Sequence, residues 1–252
     1  MNQLVKIIFV ILLMFFSFSC NSHNKNENLK IAVASNLRFA IEEINSEFEK
    51  QTGKSVEIIS ASSGKLTAQI TNGAPFDIFV SANKKYAQKL FDEGFSKENP
   101  EILCNGVLVL WSNSAIEPEL NELTQNSDLK AIAIANPQNA PYGIAAVEVL
   151  KATNIYDSIQ SKLIFAESVL QLNQYIVNKA AQVGFTSKSI VLSNKLKNVG
   201  KWTEIDENLY SPIEQFVLLL NENSNSAKVY KQFLFSDKSK SILIKYGYLV
   251  DN

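Results

Sequence analysis

Four stretches of this sequence place small hydroxyl or amide residues directly before a run with helical spacing. They read Ala34-Ser35-Asn36, Ala61-Ser62-Ser63-Gly64-Lys65, Asn136-Pro137-Gln138-Asn139-Ala140-Pro141-Tyr142-Gly143 and Ala166-Glu167-Ser168-Val169. A helix start carries unpaired N–H groups and the positive end of the helix dipole, and Ser or Asn side chains add donors. That combination suits an anion. Taken singly, each stretch is equally an ordinary helix cap, worth about 1 kcal/mol to its helix. Pro141 and Gly143 are likewise common at loops and helix starts. A binding site requires the corners to converge, as they do at the carboxyl ends of strands in open α/β sheets.

Other chemistries lack their parts. Ser63-Gly64-Lys65 has the look of a phosphate loop, but Ile59 stands five residues before Gly64 where a glycine is needed, and Leu66 replaces Ser or Thr after the lysine. Lys65 is therefore expected in the first turn of a helix with its charge in water. The one histidine, His23, lies in a polar stretch near the N-terminus, so neither a Ser-His-Asp or Cys-His site nor a multi-histidine metal centre can be assembled. Cys20 and Cys104 are too few for a disulfide framework, and the apolar neighbours of Cys104 suggest a plain buried thiol. Arg38 is the sole arginine, which excludes an arginine-lined clamp. With 24 basic and 25 acidic side chains there is no field to attract nucleic acid. Carboxylates remain plentiful, and a pair such as Asp77 with Glu167 keeps a secreted acid–base enzyme open as an alternative.

The elements that would carry these corners alternate. Leu29, Ile31 and Val33 read as a strand; Leu37, Ile41, Ile44 and Phe48 form a helical stripe closed by Gly53. Val56–Ile59 is a second strand, followed by a helix from Ser62-Ser63-Gly64 to Asn72-Gly73. Asp77–Val80 is a third, followed by a helix through Tyr86 and Leu90 to Gly94. Val107–Trp111, Ala131–Ala135, Leu163–Phe165 and Gln182–Phe185 read as strands, the last three each with a helix after it. Ile213–Leu220 is a buried strand before two C-terminal helices, Val229–Phe235 and Ser239–Tyr246. Repeated β-α alternation with short connections predicts an α/β protein with parallel sheets covered by helices. At 252 residues, 46% of them hydrophobic, the chain can fill one large core or two lobes.

The N-terminus reads as an address. One lysine precedes an apolar run of ten residues, Ile7–Phe16, which is too short to span a bilayer core roughly 30 Å thick. Ser17-Phe18-Ser19-Cys20 follows, with small Ser19 at the cut site, and then a polar stretch. This predicts a secretory signal over residues 1–19 and acylation of Cys20, with residues 20–28 as a flexible tether. The alternative is an ordinary cleaved signal or an uncleaved anchor.

Ala61-Ser62-Ser63-Gly64-Lys65-Leu66-Thr67-Ala68-Gln69-Ile70, continued by Asn72-Gly73-Ala74-Pro75-Phe76-Asp77-Ile78-Phe79-Val80-Ser81-Ala82, resembles the molybdate-binding proteins of bacterial molybdate ABC transporters. Ile134-Ala135-Asn136-Pro137 with Ala140-Pro141-Tyr142-Gly143, then Val183-Gly184-Phe185 and Tyr246-Gly247-Tyr248, extends the likeness over nearly all of Leu29–Tyr248. The resemblance implies a two-lobed periplasmic-binding-protein fold of type II, each lobe a mainly parallel sheet flanked by helices, closing on one oxyanion. It implies binding positions at Ser35, Asn36 and Ser63, and at Tyr142 and Val169 mainly through backbone N–H groups. A family branch places a tyrosine near Ser187; here Thr186-Ser187-Lys188 departs from the usual pattern, and Ser187 is expected only as a neighbour of the site.

The expected function is therefore capture of molybdate or tungstate outside the cytoplasm, with delivery to an ABC transporter permease and its cytoplasmic ATPase. The chain would be a monomer held to the membrane by its lipid anchor, on the periplasmic or cell-surface side. It would need no cofactor, hold metal only within the oxyanion, bind no nucleic acid and catalyse no reaction. The first lobe would comprise 29–104 and 212–252 and the second 105–211, with hinges near Asn105 and Tyr210–Pro212. A protein tuned to sulfate, phosphate or an organic anion, and an adhesion or scaffold protein, are the remaining alternatives.

Overall fold

The computed structural model describes residues 28–250. The expected signal, Cys20 and all but the last residue of the tether lie outside them. In chain order the first lobe holds β1 (Leu29–Ala34), α1 (Arg38–Thr52), β2 (Val56–Ala61), α2 (Ser63–Thr71), β3 (Ile78–Ser81), α3 (Lys84–Asp92) and β4 (Glu101–Gly106). The second holds β5 (Leu108–Ser112), α4 (Glu122–Gln125), β6 (Ile132–Ala135), α5 (Pro141–Ala152), α6 (Tyr156–Ile159), β7 (Leu163–Ala166), α7 (Val169–Val177), β8 (Val183–Ser187), α8 (Lys188–Val191) and β9 (Lys201–Glu204). The chain then returns to the first lobe with β10 (Ile213–Leu219), α9 (Asn225–Leu234) and α10 (Asp237–Lys245).

Each lobe is a five-stranded sheet, ordered β2-β1-β3-β10-β4 in the first and β7-β6-β8-β5-β9 in the second. Strands joined through helices run parallel: β1 with β2 and β3, and β6 with β7 and β8. The sheets are nonetheless mixed, because β10 lies antiparallel to β3 and β4, and β5 antiparallel to β8 and β9. Both β5 and β10 arrive from the other lobe rather than over a crossover helix, so nothing forces them to run parallel.

Both sheet faces are covered, which explains the apolar runs. In β1, Ile31 and Val33 pack under α1 with Ile41, Ile44 and Phe48, whereas Ala32 faces the opposite side with Leu66 and Phe79. Burying each large apolar side chain contributes about 1.5–3 kcal/mol. As the sequence suggests, α1 ends at a left-handed Gly53, whose N–H returns to the Glu49 carbonyl at 2.8 Å.

Two strands carry no strand pattern in the sequence, β4 and β9, both at sheet edges. Glu101 and Ile102 of β4 are exposed, and β9 has only four residues with Trp202 as its one bulky apolar side chain. Neither shows the alternation of a half-buried strand. The passage from the first sheet to the second falls at Val107, and the return between Glu204 and Ile213. The Tyr210 hydroxyl accepts from the Leu108 N–H at 3.1 Å, tying the two passages together.

Candidate functional site

In the first lobe, β1 and β2 deliver two of the four corners side by side. The Ser35 N–H donates to the Ala61 carbonyl at 2.9 Å, joining them. Ser63 is the first residue of α2, and its Oγ accepts from the Ala82 N–H at 3.0 Å, which fixes the corner to the end of β3. That bond uses a lone pair and leaves the Ser63 hydroxyl proton free to donate. The Ser35 hydroxyl makes no hydrogen bond among the described residues. The Ser62 side chain, at the N-cap, accepts no bond from its own helix, and its buried Oγ has no partner among the described residues.

In the second lobe the corners after β6 and β7 are joined by the Asn136 N–H donating to the Ala166 carbonyl at 2.7 Å. Pro141 opens α5, so Tyr142 is its second residue. Gly143 must be glycine, since a Cβ there would lie 1.9 Å from the Ala135 carbonyl oxygen. Ser168 caps α7 by accepting from the Gln171 N–H, which leaves Val169 as the first helical residue. Ser35, Asn36, Ser63, Tyr142 and Val169 are each no more than 3% exposed. The N–H groups of Asn36, Ser63, Tyr142 and Val169 have no acceptor among the described residues.

The two pairs of corners face each other across the lobe boundary. The Gly64 N–H donates to the Asn139 carbonyl at 3.0 Å, and the Tyr86 hydroxyl to the Gln138 carbonyl at 3.3 Å. Lys65 reaches Glu167 at 2.6 Å with both side chains about half exposed, while Arg38 turns to Glu42 on its own helix. The cations nearest the corners are thus paired at the surface, and the enclosed groups are neutral donors.

Asn36 and Ser187 take roles that their positions in sequence do not reveal. The Asn36 Nδ2 donates to Gln215 Oε1 at 2.8 Å and to the Tyr248 hydroxyl at 3.1 Å. Both amide hydrogens are engaged, so the donor Asn36 has left to offer is its backbone N–H. The Ser187 hydroxyl is bonded to the Tyr142 hydroxyl at 3.0 Å and to Ser189 Oγ at 2.8 Å, placing it behind Tyr142. Burial pushes the phenols of Tyr142 and Tyr248 well above the usual tyrosine range, so both keep their protons. Gln215 and Ser189 are not singled out by the sequence, and Tyr248 enters there only within the Tyr246-Gly247-Tyr248 stretch, with no role at the site.

The carboxylate pair does not form. Asp77 spends both oxygens on the fold, accepting from the Lys30 N–H at 2.8 Å and from Asn221 Nδ2 at 2.7 Å. Glu167 is exposed and held by Lys65. Cys104 is buried, with burial raising its thiol pKa well above the usual range. Among the described residues no three His, Cys, Asp or Glu side chains gather as a metal site.

Residues 29–249 match the family model described as bacterial extracellular solute-binding protein. The molybdate-binding protein ModA of Rhodobacter capsulatus is 34% identical over 223 residues, 87% of each chain. The ModA of Azotobacter vinelandii is 31% identical over 224 residues, covering 87% of this chain and 89% of its own. The solved structure of the Azotobacter vinelandii periplasmic molybdate-binding protein superposes with a TM-score of 0.84 at 31% identity, over 89% of this chain and 100% of that one.

Proposed function

The chain belongs to the bacterial extracellular solute-binding protein family, and from that premise we propose that it captures molybdate or tungstate outside the cytoplasm for an ABC transporter. The observation that carries this is the set of four buried N–H groups, two from each lobe, at Asn36, Ser63, Tyr142 and Val169, which have no acceptor among the described residues. Beside them stand the Ser35 and Ser63 hydroxyls. The relatives that name molybdate extend over the same lobes and support the ligand assignment.

A buried dianion loses its water, which is costly unless donors replace it. Hydrogen bonds to charged groups contribute roughly 1.5–3 kcal/mol each, and a helix N-terminus up to about 2 kcal/mol. Six donors of this kind replace the hydration that the anion gives up on entering the cleft. An oxyanion without a proton matches such a set. Phosphate near neutral pH keeps a proton that would need an acceptor, so one group is mismatched.

The lobes close on the anion about hinges at the two passages between the sheets, one at Val107 and one between Glu204 and Ile213. The closed form docks on a membrane permease driven by a cytoplasmic ATPase. The protein acts as a monomer and carries its ligand unchanged. Cys20 is acylated after removal of residues 1–19, which tethers the protein to the membrane. Among the described residues no helix is long and apolar enough to cross one.

Titration calorimetry with molybdate, tungstate, sulfate and phosphate tests the reading. Tight binding of the first two is expected; sulfate bound as tightly as molybdate defeats it. Mass spectrometry of the native protein should find a lipid on Cys20 at the mature N-terminus.

A further inference from the structure

A continuous buried hydrogen-bond chain crosses between the lobes directly behind the corners. The Asn36 carbonyl accepts two hydroxyls, Ser189 Oγ at 2.6 Å and the Tyr248 hydroxyl at 2.9 Å. Ser189 belongs to α8 of the second lobe, while Tyr248 follows α10 in the first. Their oxygens are 3.1 Å apart, and Ser189 continues through Ser187 to the Tyr142 hydroxyl. All these side chains are at most 3% exposed. The chain thus starts at the residue offering an N–H in the first lobe and ends at one offering an N–H in the second.

The backbone around it is built to allow these approaches. A Cβ at Gly106 would lie 2.1 Å from the Tyr142 hydroxyl, so glycine in β4 makes room for a phenol from the second lobe. Gly247 has φ +77, and a Cβ there would meet Lys188 at 2.8 Å; a glycine is therefore needed to lay Tyr248 against α8. Paired bonds between Asn105 and Leu249, at 2.7 and 2.9 Å, then pin the residue after Tyr248 to the end of β4.

We infer that Ser189 and Tyr248 are positioning residues for the oxyanion site, holding Asn36 from both lobes through its one carbonyl. Both lone pairs of that carbonyl are filled and the side-chain amide is bonded as well, so the Asn36 Cα, and with it the N–H on its other side, cannot shift away from the cleft without breaking buried bonds. Tyr248 shares a lobe with Asn36 and presets the corner. Ser189 comes from the opposite lobe, so its bond is made as the lobes meet and couples closure to the corner's orientation.

This rests on the reading of the cleft as an oxyanion site, and one experiment separates the two. Molybdate is titrated into wild-type protein and the Ser189→Ala, Ser189→Thr and Tyr248→Phe variants by calorimetry, with thermal unfolding of each unliganded protein alongside. Ser189→Ala and Tyr248→Phe are each expected to raise the dissociation constant about tenfold, one buried hydrogen bond's worth. Ser189→Thr keeps the hydroxyl and is expected to bind within about twofold of wild type. Unchanged affinity in the alanine and phenylalanine variants, even with lowered unfolding midpoints, overturns the inference, as does equal weakening by Ser189→Thr and Ser189→Ala. Wild-type protein that takes up no molybdate overturns the reading of the site and this inference with it.

Discussion

The Gly64 N–H and the Asn139 carbonyl meet at 3.0 Å from opposite lobes, and a Cβ on Gly64 would lie 2.7 Å from the Asn139 Cβ. Glycine here serves contact between lobes, since Gly64 sits in the first turn of α2 with no left-handed backbone to accommodate. Part of that clash is with the backbone of Asn139, which cannot be relieved by a rotamer change.

Gly64→Ala is therefore expected to keep the lobes from meeting while leaving each lobe intact. Alanine suits a helix better than glycine, so the unliganded unfolding midpoint should hold or rise. Molybdate affinity should fall at least tenfold by calorimetry. Wild-type affinity in this variant would show that the Gly64 contact is not part of the bound state.

Ser35 and Ser63 should separate binding from stability. A hydroxyl donating to a charged ligand contributes roughly 1.5–3 kcal/mol, so each alanine variant should lose about 10- to 150-fold in affinity. Ser63→Ala also strands the buried Ala82 N–H, which should lower stability by about 1–3 kcal/mol. Ser35→Ala breaks no bond among the described residues and should unfold as wild type. Retention of molybdate by the double variant would sink the assignment of both residues.

How much of this was readable in the sequence varies from residue to residue. Ser35, Ser63 and the α5 and α7 helix starts were legible because strand-to-helix corners are set by local spacing, and all are buried at facing corners. The Asn36 side chain was not. Its amide is committed to Gln215 and Tyr248, which lie 179 and 212 residues away in sequence, and no local pattern encodes such partners. The antiparallel course of β5 and β10 was hidden for the same reason, since direction follows from which lobe the chain has just left. Edge strands β4 and β9 lack the periodicity on which strand recognition depends.

The Lys65–Glu167 pair spans the cleft at 2.6 Å, yet both side chains are about half exposed. Exposed pairs of this kind contribute about 0.2–1 kcal/mol and are screened by salt. Glu167→Gln should weaken molybdate binding by less than about fivefold, and the difference should vanish in about 0.5 M sodium chloride. A loss of a hundredfold that persists in high salt would instead make this pair a principal element of closure.

Binding should be insensitive to pH between about pH 6 and pH 9. The donors are amide N–H and serine O–H groups, none of which titrates in that range. Tyr142 and Tyr248, the two phenols behind the corners, have pKa values raised by burial and remain neutral. Calorimetry from about pH 6 to pH 9 should give one dissociation constant for an oxyanion that holds no proton there. Stability behaves differently at the alkaline end. In the unfolded chain these phenols ionise near pH 10, whereas the folded protein keeps them protonated, so the unfolded state binds fewer protons above that pH. The stabilisation is complete below about pH 10 and is lost as pH climbs towards the raised folded values, and the thermal midpoint should decline accordingly. A step in affinity between pH 6 and 9 would require a titrating side chain in contact with the ligand, which is incompatible with a site made only of neutral donors.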